Sequence, residues 1–287
     1  MIIGREHRYV FVQLPRTGCT AIEKELIAQY SGERILAKHS TYRDFLRHAS
    51  EEERAYFAFS SIRNPLDDAV SHFMKIASDH GGRFSDPVRR RHRVGRRGAE
   101  RFRSDGTDNK GRPPVPRSFA ERRDNRMHSY ITKRNADFTR FFLRYHWIPY
   151  DNWSRLDHAR MDHLIRFERL EQSFADVLAH LGLEQRRPLP VRNRTAAKGR
   201  DWLSYYTAET IPRARFVFGP YMCRWGYRFP EEWSDIETPR LAEAAYLTLG
   251  PPRTLYWSRL RQDGWRQWPT ADRSRRSQPS GSAVRPD

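Results

Sequence analysis

The sequence predicts an α/β fold with a central parallel sheet flanked by helices. Short apolar runs rich in β-branched and aromatic residues alternate with helical patterns, and the first such run passes through a Pro- and Gly-containing turn directly into a helix. No internal repeat interrupts that alternation, and no stretch approaches the roughly 18 uninterrupted apolar residues of a membrane-spanning helix.

Tyr9, Val10, Phe11 and Val12 make the first strand, which ends before Pro15, and the pattern over 21–27 makes the first helix. A second strand is expected over 34–37 and a third over 56–62, the most apolar and aromatic stretch of the N-terminal half. Helices fit 41–48 and 66–77, the latter opening just after Asn64-Pro65, where the fixed φ and missing N–H of proline suit a first turn. Strands separated by helices require crossover connections and hence parallel pairing. From Gly81 to Arg117 the periodicity stops and Arg, Gly, Pro, Asp and Ser dominate, so a basic flexible insertion is expected at about 83–117. Helical patterning resumes from Ser118 to about Tyr145, a further strand fits 162–167, and an amphipathic helix runs from Leu170 to Leu181 with Gly182 as its stop. One or two helices fit 201–223, ahead of the aromatic run Trp225-Gly226-Tyr227-Arg228-Phe229. One domain is expected over 1–268, followed by a disordered low-complexity tail over 269–287.

The 287 residues carry 53 Lys+Arg against 35 Asp+Glu, a formal charge of +18. Its placement matters more than its total, because residues 1–82 hold 11 basic and 11 acidic side chains whereas 83–117 hold 12 and 4. The run Arg89-Arg90-Arg91-His92-Arg93 lies in that second piece; it reads as a solvated cluster, a flap for an anionic acceptor, or a nucleic-acid contact. Two cysteines, Cys19 and Cys223, neither build a disulfide framework nor have zinc-site spacing, and the 11 histidines form no HExxH pattern. Without a leader-like N-terminus, a cytoplasmic location with the chain starting near Met1 is expected.

Two segments carry chemistry. Pro15-Arg16-Thr17-Gly18-Cys19-Thr20 lies between a strand and a helix, where main-chain N–H groups and the positive helix end converge on an anion. Gly18 permits close backbone approach, the hydroxyls of Thr17 and Thr20 can donate to phosphoryl oxygens, and Arg16 adds positive charge; the Lys and spacing of a Walker A loop are absent. In the second segment Arg63 leaves a strand end, Pro65 opens a helix, and Ser71 lies two turns along it, so both can reach one anion beside the sheet edge.

Together the segments resemble the PAPS-dependent sulfotransferases of the carbohydrate type, which move a sulfuryl group from 3′-phosphoadenosine 5′-phosphosulfate (PAPS) to an acceptor hydroxyl or amine. The first matches the family's P-K-[ST]-G-[GT]-[TS] loop; the second matches R-[ND]-P-x-[DE]-[RA]-x-x-S-x-[YF] at Arg63, Asn64, Pro65, Asp67, Val70, Ser71 and Phe73. Weaker likeness extends over roughly 8–235 and includes Lys198-Gly199-Arg200, which resembles the loop closing on the 3′-phosphate and adenine. The resemblance implies the P-loop NTPase-like sulfotransferase architecture, PAPS as sulfuryl donor and no metal. It also implies that Arg16, Thr17, Gly18, Cys19 and Thr20 hold the 5′-phosphosulfate and that Arg63 and Ser71 hold the 3′-phosphate, helped by Lys198 and Arg200.

Two positions depart from the pattern: Arg16 stands where the family has Lys, and Cys19 where it has Gly or Thr. Arg keeps the charge but presents a planar fork instead of a point donor. For the base, His39 is the candidate, emerging after the second predicted strand at the edge where open α/β sheets bind ligands. Lys38 is a candidate for contacting the acceptor or sulfuryl group, and Glu23 is a backup base expected to face solvent. In-line transfer needs no covalent enzyme intermediate, which disfavours Cys19 as a nucleophile. The acceptor is expected to be anionic or polar, such as a glycan or lipid, and nucleic acid is the less favoured partner. Nucleic-acid binding through the insertion, or a P-loop-type kinase, are the alternatives.

Overall fold

The computed structural model describes residues 1–36, 38–79, 82, 84–85, 119–152, 158–190, 201–233 and 237–256. Its centre is a five-stranded sheet in the order β3-β1-β2-β4-β5, with β1 at Ile2–Gly4, β2 at Tyr9–Phe11, β3 at Glu33–Arg34, β4 at Phe57–Ile62 and β5 at His163–Arg166. β2 pairs parallel to β4, with Phe11 opposite Phe59, and β4 parallel to β5, with Ile62 opposite Arg166. β1 is antiparallel to both β2 and β3. Four of the five strands therefore run the same way, and their C-terminal ends share one edge.

Two sequence expectations are corrected here. The second strand is Glu33–Arg34 instead of 34–37, with Ala37 outside the described residues, and it joins the sheet only through β1, a strand that the periodicity does not predict. Three residues are too few to show an alternation. β1 is nevertheless an interior strand, with Ile2 and Ile3 both fully buried on opposite faces. Its last residue, Gly4, leaves no room for a side chain, since a Cβ there would lie 2.1 Å from the Tyr9 ring.

The period-two pattern splits the core between the faces. Ile2, Tyr9, Phe11 and Phe59 pack under α1 (Cys19–Gln29) and α7 (Leu170–His180), whereas Ile3, Val10, Val12 and Ala58 pack against Tyr42 and Phe45 of α2 (Tyr42–His48). Beyond α3 (Glu51–Arg54) and β4, α4 (Pro65–Ala77) leads into a second apolar body. There Val70 and Phe73 meet Met127 and Ile131 of α5 (Phe119–Arg134), Phe141 and Phe142 of α6 (Phe138–Tyr145), and Val217 and Phe218 of α8 (Ile211–Arg224).

The helical pattern expected from 118 to 145 is two helices, broken where Asn135 takes φ 43° and Asp137 caps α6 by accepting from the Arg140 N–H at 2.9 Å. The helix α9 (Arg240–Leu255) has no counterpart among the predicted elements, since Gly250, Pro251 and Pro252 obscure its pattern. Of the predicted insertion, Phe84 and Ser85 are described: Phe84 is buried beside His128, and the Asp79 carboxylate accepts both main-chain N–H groups at 2.6 and 3.1 Å. The rest of the insertion, the 269–287 tail, Lys198 and Arg200 lie outside the described residues.

Candidate active site

The shared sheet edge collects the exits of β2, β3, β4 and β5. After β2, the loop from Val12 turns at Gly18, which takes φ +79° as the residue preceding α1. Among the described residues no side chain caps α1 and its first turn holds no acidic residue, whereas Thr41, Ser50, Asn64 and Asp137 cap α2, α3, α4 and α6. The first N–H groups of α1 thus lack a side-chain acceptor, and the positive end of the helix dipole favours an anion there. Gly18 is needed for a second reason: a Cβ would sit 2.9 Å from Leu170 on α7. Gly18→Ala is expected to cost about 1–3 kcal/mol through left-handed strain and this contact, read as a lower urea midpoint. An unchanged midpoint would contradict the geometry.

Thr17 is 2% exposed, and its hydroxyl donates to the Leu14 carbonyl at 2.8 Å and lies 2.6 Å from Ser61 Oγ on β4. It ties the loop to the sheet, so the hydroxyl expected on a phosphoryl oxygen is turned inward. Arg63, directly after β4, is 8% exposed. Its Nε and Nη2 lie 2.8 and 2.7 Å from Asp67 Oδ2, Nη2 donates to Ser71 Oγ at 2.6 Å, and Nη1 donates to the Arg16 carbonyl at 3.1 Å. Arg63 and Ser71, which the sequence expects to reach one anion, are hydrogen-bonded to each other, and Arg63 also joins the two loops. Its guanidinium lies over Phe167, 4.2 Å from the ring centroid, and the Asn64 N–H donates to Glu168 at 2.5 Å, which ties the exit of β5 to that of β4.

The Arg16 side chain departs from expectation. With its backbone at φ 69°, it runs toward α4, where Nη2 lies 2.9 Å from Asp68 Oδ2. Tyr150 donates to the same oxygen at 3.3 Å. Behind this pair His72 Nε2 lies 3.6 Å from Asp124 Oδ1. Burial, reinforced by the Arg16 charge, lowers His72 to about 4 despite Asp124, and burial lowers His146 to about 3, so both are neutral at pH 7.

On the β3 side, His39 takes φ 70° and its Nδ1 lies 2.9 Å from the Gln13 carbonyl. A carbonyl only accepts, so Nδ1 is the donor in this contact. Lys38 donates to Thr20 Oγ1 and Glu23 Oε2, both at 2.9 Å. Glu23, expected to face solvent, is instead buried and also accepts from Arg34 at 2.7 Å and Gln13 at 2.8 Å. Burial opposes its ionisation, but the bonds from Lys38 and Arg34 prevail and lower it to about 2. That makes it an ionised anchor and a poor base. Cys19 is buried, which pushes its thiol up and keeps it protonated. Among the described residues no group of three or more His, Cys, Asp or Glu could hold a metal ion.

Sequence reasoning missed Asp68, Tyr150, Phe167 and Glu168 as parts of this edge. The Asp67-Asp68 repeat at a helix start was the only visible signal, and it reads equally as favourable acidic charge on a first turn. Both loops fall within residues 1–215, which match a family model described as Sulfotransferase family. The chain belongs to the sulfotransferase family. No curated protein and no solved structure matches it. As a sulfotransferase-family member it carries the features of a transferase of the sulfotransfer kind, on the α/β sheet described above. Among the described residues no helix is long and apolar enough to cross a membrane.

Proposed function

We propose that the protein transfers a sulfuryl group from PAPS to an acceptor hydroxyl or amine. The observation that carries this reading is the buried Arg63 guanidinium, which donates to Ser71 Oγ at 2.6 Å and to the Arg16 carbonyl, on the loop leading into the uncapped α1, at 3.1 Å. The residues fit a bis-anionic nucleotide: α1 offers main-chain donors, Arg63 is held in place by Asp67 and Phe167, and Arg16 Nε is buried without a hydrogen-bond partner. PAPS supplies the sulfuryl group when bound. The main chain of Thr17, Gly18, Cys19 and Thr20, with Arg16, holds the 5′-phosphosulfate, and Arg63 and Ser71 hold the 3′-phosphate. Lys198 and Arg200 stay in this assignment on the sequence resemblance alone.

His39 is the base in this reading: the contact of its Nδ1 with the Gln13 carbonyl holds the imidazole at the sheet edge, where it takes the acceptor proton. Lys38, tied to Thr20, contacts the acceptor or the sulfuryl group. His39→Ala is expected to lower turnover by about 10²–10⁴-fold while leaving nucleotide affinity unchanged. Intact turnover in that variant removes His39 as the base.

An anionic or polar acceptor belongs to this reading, in keeping with the formal charge of +18; a cleft of about 470 Å³ between α5 and α6 is lined by Arg126, Lys133, Arg134 and Arg144 together with Tyr130 and Tyr145. Among the described residues no carboxylate lines it, and Arg144 lies over the Tyr130 ring at 4.8 Å. Catalysis in the cytoplasm is consistent with two unbridged cysteines. Calorimetry with adenosine 3′,5′-bisphosphate tests the donor assignment, and absence of binding would refute it. A screen with radiolabelled PAPS across glycans, lipids and small phenols identifies the acceptor; transfer confined to uncharged acceptors would refute the anionic class.

A further inference from the structure

Asp67 and Asp68 stand side by side in the first turn of α4, and each holds an arginine from a different loop. The two pairs are made differently. Arg63 places Nε and Nη2 on Asp67 and its other donors on Ser71 and the Arg16 carbonyl. Arg16 meets Asp68 through Nη2 and Oδ2 alone, and both Arg16 Nε and Asp68 Oδ1 are buried with no hydrogen-bond partner. Those are the atoms that a complete two-point fork would have joined. A buried donor without an acceptor is costly, so this pair is only half made, on the loop that leads into the uncapped start of α1. Asp68 has other support, since the Tyr150 hydroxyl donates to its Oδ2. It can therefore keep a hydrogen bond when the guanidinium leaves.

We propose that Asp68 is a positioning residue that competes with the bound nucleotide anion for Arg16. This inference rests on the reading that the loop before α1 holds the anionic end of PAPS. Without the nucleotide the guanidinium rests on Asp68. When an anion occupies the start of α1, Arg16 turns its Nε–H and the released Nη2 toward it, and Tyr150 stays on Asp68. The four charges of Arg16, Arg63, Asp67 and Asp68 cancel, so the resting site is not a standing cationic field. Its affinity is lowered by the fraction of time that Arg16 spends on Asp68.

The test is calorimetric titration of the full chain with adenosine 3′,5′-bisphosphate. Asp68→Asn keeps the side-chain volume and an acceptor for Tyr150 but removes the competing charge, and it is expected to tighten binding by about tenfold. Arg16→Ala alone is expected to weaken binding by less than about threefold, because the bond that Arg16 forms to the anion replaces one that it breaks with Asp68. In the Arg16→Ala background, Asp68→Asn is expected to change nothing. A residue that only supports the fold does not tighten binding when altered. Weaker or unchanged affinity in Asp68→Asn overturns the inference, as does an Arg16→Ala loss equal to that of Arg63→Ala. If Asp68→Asn fails to fold, the Arg16→Ala comparison remains decisive. Wild-type protein that does not bind the bisphosphate, or an Arg63→Ala variant that binds normally, overturns the PAPS reading and this inference with it. Binding that depends on Arg63 but ignores Asp68 overturns this inference alone.

Discussion

Arg63→Ala is expected to weaken binding of adenosine 3′,5′-bisphosphate by about 100-fold or more. A guanidinium that is 8% exposed and fixed on four sides has already lost its rotamer entropy, so a phosphate contact with it carries the full value of a charge-assisted bond. Such bonds contribute about 1.5–3 kcal/mol each, and the substitution also frees the Ser71 hydroxyl and unties the two loops. It leaves Asp67 as a buried carboxylate without its cation, at a cost of about 3–5 kcal/mol in stability. Lost binding could then be mistaken for lost folding. The double variant Arg63→Ala/Asp67→Asn separates the two: its thermal midpoint should recover relative to Arg63→Ala while nucleotide binding stays lost. Recovered binding in the double variant would show that Arg63 acts through the fold and not on the ligand.

The second large effect concerns acid stability. Glu23 titrates at about 2 in the folded protein, below its ordinary 4.5. A carboxyl group lowered by folding stabilises the native state fully above its unfolded value, and the contribution is lost as pH falls through the folded value. The window is therefore about pH 4.5 down to about 2. A lowering of this size corresponds to roughly 3 kcal/mol at neutral pH, on a side chain that is only 9% exposed. Glu23→Gln should lower the urea midpoint at pH 7, show a flatter response to acid, and converge with wild type near pH 2. Equal midpoints at pH 7 would overturn the anchor role. Because Glu23 also holds Lys38 and Gln13, and Gln13 holds His39, the variant should lose turnover as well.

Most of this edge was readable where its parts are close in sequence. Arg63 stands just before the Asn64-Pro65 helix start and Ser71 about two turns along the helix, a span that a long arginine side chain can cover. The loop before α1 was readable for the same reason, as was the helix stop at Gly182 with φ 69°. Helical spacing misplaces Glu23, because it says which residues share a face but not which charged groups another segment brings to it. Arg34 and Lys38 arrive on the β3 return, and they convert an apparent surface carboxylate into a buried ion-pair centre. The short strand β1 was missed because it has no room for periodicity and is held by its neighbours on both sides.

The sequence by itself determined the α/β alternation, the two motif-bearing loops and the family that they indicate. These follow from local spacing, turn chemistry and the period of apolar residues. Only the tertiary structure decided where the side chains within those loops point. Thr17 turns its hydroxyl into the sheet, Arg16 goes to Asp68, and Tyr150, 82 positions further along, secures that carboxylate. A guanidinium takes its direction from whichever carboxylate lies within reach after folding. That choice is set by packing between segments remote in the chain, and no spacing within one segment encodes it.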